Sequence, residues 1–256
     1  MSKVHQSAAV GFSAKADTYV KGRPDYPSEV DEWLRSDLGL GEGKTVLDLG
    51  AGTGKFSKKL LTTGATVFAL DAVPAMLEQL RRQYPGVQAK LGSAESIPFA
   101  DASFDAVVCA QSFHWFATPE TVAEVRRVLK PGGAWGLIWN VRNENVEWVA
   151  ALTKIIAPFE GDTPRYRTQK WRSLFPAAGF SPLREQRFPH GHTGAPEQVI
   201  VDRTLSTSFI AALPPDKQEK VASQVRELIA ASPDLAGKSL VTFPYTTAAF
   251  SCRKLV

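Results

Sequence analysis

Thr45-Val46-Leu47-Asp48-Leu49-Gly50-Ala51-Gly52-Thr53-Gly54-Lys55 decides how this chain folds. An apolar run carrying one acid ends in three glycines that alternate with other residues. Val46, Leu47 and Leu49, set between turn residues, read as a buried strand over 45–49. The glycines let the backbone turn tightly and let a ligand approach closer than a Cβ would permit. A helix opening near Lys55 aims free backbone amides at that ligand. The pattern predicts a nucleotide-like cofactor at this loop.

Outward from the loop, strands and helices alternate. Strands are expected over 66–70, 87–91, 104–110 and 134–139, and helices over 56–63, 74–84 and 120–129. Gly64 ends the first of these helices, Pro74 opens the second and Lys130-Pro131-Gly132-Gly133 stops the third. Such alternation gives an α/β fold, doubly wound, with a mostly parallel sheet covered on both faces. Ligands bind such sheets beyond the carboxyl ends of their strands, here at 50–54, 71–73, 92–95 and 111–116. A helix is expected over 29–38, helical structure over 140–180 and 195–240, and two further strands near 183–188 and 247–254 that complete a seven-stranded sheet, partly antiparallel. The chain reads as one domain over 1–256, with a helical cover (1–44), a cofactor-binding core (45–139) and acceptor-side helices with the final strands (140–256).

Composition narrows the class. The 256 residues are long for one compact α/β unit and short for two, and a hydrophobic fraction of 44% supports a sizeable core. No run approaches a membrane span, and Met1-Ser2-Lys3-Val4-His5 lacks the apolar core of a signal peptide, which points to the cytoplasm and away from a membrane. Cys109 and Cys252 fall in apolar strand-like runs and read as reduced core thiols. The net charge of +4 is scattered. Arg81-Arg82 and Arg126-Arg127 read as solvated helix faces, so no nucleic-acid partner is expected. His190 and His192, in a Pro-His-Gly-His loop without a neighbouring carboxylate or cysteine, make a poor metal site, and no metal is expected.

Asp71, about 20 residues beyond the glycine loop, ends the second strand, where a carboxylate can accept hydrogen bonds from both hydroxyls of a ribose. Together with it, Asp-Leu-Gly-Ala-Gly-Thr-Gly, Gly92-Ser93-Ala94-Glu95 followed by Ile97-Pro98-Phe99, Phe104-Asp105-Ala106-Val107 and Arg127-Val128-Leu129-Lys130-Pro131-Gly132-Gly133 resemble the class I S-adenosylmethionine-dependent methyltransferases. The flanks, Tyr19 with Arg23-Pro24-Asp25-Tyr26-Pro27 and Phe113-His114-Trp115-Phe116, are similar to the small-molecule branch that includes trans-aconitate and ubiquinone/menaquinone-type enzymes. The resemblance implies a Rossmann-like methyltransferase fold and S-adenosyl-L-methionine as cofactor. It implies that Gly50, Ala51, Gly52 and Gly54 wrap the methionine part, that Asp48 fixes the loop and faces the cofactor ammonium, and that Asp71 holds the ribose. Ala72 and Met76 would pack on the adenine, with Ser93, Ala94 and Glu95 at its edge. Gln111 would complete the cofactor set, and Tyr19 and Arg23 would close over it.

His114 and Trp115 follow the fourth strand and are the catalytic candidates. His114 would accept a proton from the acceptor or hydrogen-bond it, and Trp115 would stack on it. The resemblance implies transfer to a small-molecule acceptor, with O-methylation of a carboxylate or phenol favoured. Arg142, Arg165, Arg167 and Arg172, in the expected cover, read as a solvated face, with an anionic acceptor as the alternative. A nicotinamide (NAD) dehydrogenase, a nucleic-acid methyltransferase and a non-catalytic cofactor-binding protein remain as competing readings.

Overall fold

The structure is a computed structural model and describes residues 23–256. Tyr19 lies outside the described residues. Seven strands form one sheet in the order β3-β2-β1-β4-β5-β7-β6. These are β1 (Thr45–Leu49), β2 (Thr66–Asp71), β3 (Gln88–Leu91), β4 (Phe104–Ala110), β5 (Leu129–Arg142), β6 (Arg184–Gly194) and β7 (Val241–Arg253). β1 to β5 run parallel, and β7 lies antiparallel between β5 and β6.

Strand alternation divides the core. Leu47, Leu49, Val107, Cys109, Trp135 and Leu137 face one side, where they meet Val125 and Val128 of α4 (Pro119–Val128) and the aromatic block of Phe113, Trp139, Trp171 and Phe250. Val46, Ala106, Val108 and Ile138 face the other. There they meet Trp33 and Leu34 of α1 (Glu29–Ser36), Phe56 and Leu60 of α2 (Lys55–Leu61), and Leu77 and Leu80 of α3 (Pro74–Gln83). Both faces are dry, which is why these strands read as continuous apolar runs. A third cluster joins α5 (Glu147–Ile156) and α6 (Pro215–Ala231) to Val241, Phe243 and Tyr245 of β7. Cys109 and Cys252 are buried free thiols.

The chain builds β1, β2 and β3 outward, then returns to lay β4 on the other side of β1. That reversal opens a crevice beyond the carboxyl ends of β1 and β4, the place where such sheets take ligands. The crevice is closely held. Ser112 Oγ donates to the Leu49 carbonyl at 2.8 Å, and the Gln111 amide donates to the Ile138 carbonyl at 2.8 Å.

Several expectations are corrected. Lys130 to Gly133 is not a turn outside the sheet. It forms the irregular lead of β5, with a register shift between Phe104 and Ala106, and regular pairing starts at Ala106 with Ala134. β5 continues past Trp139 to Arg142 because β7 pairs it as far as Arg142 with Tyr245. His190 and His192 lie in β6, not in a loop; an edge strand tolerates Pro189, which cannot donate to a ladder. The 140–180 stretch holds only one α-helix, and Pro158, Gly161 and Pro164 reduce the rest to short 3₁₀ turns. Arg127 is no solvated residue. Its guanidinium donates to the Ile97 and Phe99 carbonyls at 2.9 and 2.8 Å and pairs with Glu124 and Asp101, while Glu124 accepts from the Ile97 amide. The segment that follows β3 is thereby tied to α4. Among the described residues no helix is long and apolar enough to cross a membrane.

Candidate active site

Two adjoining cavities open at the crevice. The first, about 180 Å³, runs along the glycine loop and the carboxyl ends of β1, β2 and β4. Arg23, Gly50, Ala51, Gly52, Asp71, Ala72, Met76, Ser93, Ala94, Glu95, Gln111 and Trp115 all line it, which gathers most of the expected cofactor set in one place. The second, about 130 Å³, holds His114 and shares Arg23, Gln111, Trp115, Asn140 and Arg203 with the first.

The loop geometry explains its glycines. Gly50, Gly52 and Gly54 have φ of +73°, +56° and +84°, a region L side chains rarely adopt. A Cβ on Gly50 would lie 2.7 Å from Ser112 Cβ, so this glycine lets the loop pack on the β4 end. A Cβ on Gly52 would meet nothing within 4 Å, so its α-carbon faces open space. The Asp71 carboxylate accepts from the Gly52 amide at 2.8 Å and from the Val73 amide at 2.9 Å. One acid thus locks the glycine loop to the start of α3, and its carboxylate keeps acceptor capacity for a ligand hydroxyl. Burial raises its pKa, and the amides of Val73, Gly52 and Ala72 oppose that rise.

Two expected cofactor contacts stand behind the cavity wall. Asp48 does not line it. Strand alternation turns its side chain toward α2, where it is fully buried and accepts from Ser57 Oγ at 2.6 Å. Gly54 serves packing, since a Cβ there would come within 2.9 Å of Leu80 and Tyr84 on and beside α3. Burial pushes Asp48 up to about 7, the Ser57 hydroxyl opposes this and the Asp71 charge adds to it. A carboxyl that holds its proton to about pH 7 when folded and releases it near pH 4 when unfolded contributes stability that is complete below about pH 4. That contribution, on the order of 4 kcal/mol, is lost as pH rises toward 7. Urea unfolding at pH 5 and pH 7.5 is expected to show wild type losing stability relative to Asp48→Asn across that interval; parallel behaviour of the two proteins would refute the assignment.

Sequence reading missed several lining groups. Lys55 pairs with Asp25 at 3.2 Å and donates to the Arg23 carbonyl, holding the incoming segment over the glycine loop. Its place directly after the last glycine was the available signal. Tyr26, Thr53, Val73 and Asn140 also line the first cavity. Gln111 has a φ of +60°, unusual for a non-glycine residue, at the junction of the two cavities.

In the second cavity His114 Nδ1 accepts from Trp139 Nε1 at 3.1 Å. Indole nitrogen only donates, so the neutral imidazole carries its proton on Nε2. Burial and the charges of Arg165 and Arg23 push His114 down to about 3. It is therefore a neutral donor at physiological pH. Trp115 lies 5.3 Å away, centroid to centroid. Arg142 and Arg165 face this cavity, unlike the solvated residues expected, whereas Arg172 lies outside it and pairs with Glu185 at 2.8 Å. His190 and His192 line neither cavity, and no group of three or more metal-ligating side chains gathers among the described residues.

The fold is shared with solved structures: a candidate type II methyltransferase of Anaeromyxobacter dehalogenans superposes with a TM-score of 0.64 at 21% identity, covering 91% of this chain and 97% of that one. The family described as "Methyltransferase domain" matches residues 47–136. Across nearly the whole length, the chain is 38% identical over 246 residues to an uncharacterized methyltransferase-like protein of Schizosaccharomyces pombe, covering 95% of each. The chain belongs to the class I S-adenosylmethionine-dependent methyltransferases. This methyltransferase is also 35% identical over 132 residues to the malonyl-[acyl-carrier protein] O-methyltransferase of Serratia marcescens, half of each chain. The dehydrogenase reading falls with the family assignment.

S-adenosylmethionine fits what the first cavity offers. Gly52 leaves room for close approach, the Asp71 oxygens retain acceptor capacity and Val73, Met76 and Ala94 supply an apolar wall for a purine. The methyltransferase uses S-adenosylmethionine as its cofactor.

Proposed function

We propose that this enzyme methylates an oxygen of a small organic acid, with the cofactor in the first cavity and the acceptor in the second. Bound there, S-adenosylmethionine supplies a methyl group already activated on a sulfonium. What the protein adds is placement of an oxygen nucleophile in a pocket shielded from water.

The observation that carries this reading is that, among the described residues, no base is placed to take a proton beside Trp115. His114 is kept neutral, its Nδ1 lone pair is taken by Trp139, and its Nε2 proton points to a donating role. Glu160 is held by Arg167 at 2.7 Å, and burial raises the Tyr166 phenol, so it stays protonated. Glu144, the other carboxylate of the cavity, is exposed and accepts from Thr153, so among the described residues an acceptor that needs deprotonation finds little help, whereas a carboxylate arrives ionised and needs none. Asp71 would hold the ribose, Arg23 the methionine carboxylate, and Met76, Ala72, Ser93, Ala94 and Glu95 would surround the base. Gln111 and Trp115 stand between the two chambers. The Serratia relative, named as an O-methyltransferase, agrees with transfer to oxygen.

The test uses S-adenosylmethionine labelled in its methyl group and a panel of small carboxylic acids, phenols and amines. The expected product is a methyl ester, recognised because mild alkali releases the label as methanol. Label retained through alkali treatment, on nitrogen, carbon or a phenolic ether, would count against the carboxylate reading.

A further inference from the structure

The second cavity holds more positive charge than methyl transfer requires. Arg142 closes β5, Arg165 precedes the 3₁₀ turn Tyr166–Thr168, and Arg203 follows the π-helical turn Glu197–Asp202. All three line the cavity, and Arg203 also reaches the first one. Arg142 and Arg203 each find Thr207 Oγ1 only at 3.4 Å, the outer limit of a hydrogen bond. Arg165 rests on the Phe209 ring at 4.9 Å. Arg165 Nη1 and Arg203 Nε are buried without a partner among the described residues. The cavity's two carboxylates offset the group only in part: Glu160 favours the Arg165 charge but is itself bound by Arg167, and Glu144 favours the Arg142 charge but is exposed and accepts from Thr153. Burial, with Arg203 adding to it, pushes Arg142 down to about 9. Burial likewise pushes Arg165 down to about 10, with Glu160 opposing and Arg203 adding. Both remain cationic at neutral pH.

Three clustered, half-buried guanidiniums with two shared carboxylates among the described residues are costly to keep, because each loses hydration and repels the others. A guanidinium fork matches an oxyanion in plane and charge. We propose that Arg142, Arg165 and Arg203 form an anion subsite that grips a carboxylate or phosphate of the acceptor other than the oxygen that is methylated. The acceptor is then at least a dianion, with one group clamped by arginines and the other free at the Trp115 end of the cavity. This deepens the carboxylate reading above and rests on it for the place of transfer, but not for the binding itself.

Isothermal titration of the full chain saturated with S-adenosylhomocysteine tests it directly. The probes are succinate, glutarate, their neutral dimethyl esters and inorganic phosphate. The dianions are expected to bind saturably and more weakly as salt rises, and the diesters not to bind. Tighter binding of the dicarboxylates than of phosphate assigns a carboxylate, and the reverse assigns a phosphate. Arg142→Gln and Arg165→Gln are each expected to weaken the dianion at least tenfold while S-adenosylhomocysteine affinity stays within twofold, which also reports that the variants fold. Arg165→Lys, which keeps charge but loses the fork, should fall between, and Arg172→Gln on the outer surface should change nothing. Dianions that bind no better than their diesters, or that bind the glutamine variants as well as wild type, would overturn the subsite. Labelled methyl found on a phenol or amine, with the arginine variants still losing the anion, would instead remove the carboxylate reading and leave the subsite standing.

Discussion

Asp71→Ala is expected to lower affinity for S-adenosylhomocysteine by at least about 100-fold while leaving most of the sheet intact. In the free protein this carboxylate accepts from the Gly52 and Val73 amides at 2.8 and 2.9 Å. Hydrogen bonds to a charged group contribute about 1.5–3 kcal/mol each, and two of them tie the loop to α3 before any ligand arrives. Alanine releases both amides and also removes the acceptor proposed for the ribose hydroxyls. A loss of about 3 kcal/mol already corresponds to a factor of more than 100. Asp71→Asn should fall between, because its amide nitrogen cannot accept from one of the two backbone donors. Calorimetric titration of all three proteins decides the matter; an alanine variant that binds within tenfold of wild type would dismiss Asp71 as the keystone of the loop.

Gly50→Ala is expected to destabilise the protein by about 2–5 kcal/mol, the sum of left-handed backbone strain and overpacking. The added methyl would sit 2.7 Å from Ser112 Cβ and 2.9 Å from Phe116 Cε1. Ser112 cannot retreat cheaply, since its hydroxyl is bonded to the Leu49 carbonyl. Gly52→Ala provides the contrast. It carries similar backbone strain, but its methyl projects into empty space, so its stability should fall less while cofactor affinity drops. Urea midpoints for the two variants should therefore differ clearly. Equal midpoints would show that the contact with Ser112 is not what demands glycine at position 50.

The cofactor side was legible because its determinants are local. The glycine loop and Asp71 sit at strand ends whose apolar runs mark them, and β1 and β4 fall where alternation places them. Asp48 and Gly54 stand behind the wall of the first cavity: the pleat turns one toward α2, and the helix behind the loop packs on the other. The acceptor side was much less legible. Arg142 enters the second cavity only because β7 extends β5 beyond Trp139. Arg165 follows Pro164 in a stretch without periodicity, and Arg203 leaves a π-helical turn. No pattern of period two or 3.6 flags residues brought together by long-range pairing. Arg127 read as solvated for the same reason, since its partners at 97, 99 and 101 lie across a loop.

The placement of β7 sets an order of assembly. β6 touches the sheet only through β7, which lies some fifty residues further along the chain. On the ribosome, the parallel half can collapse while β5 still presents a bare edge and β6 hangs unattached. A nascent chain paused before Val241 therefore exposes a sticky border that chaperones would recognise, and closure of that border is a late, high-contact-order event.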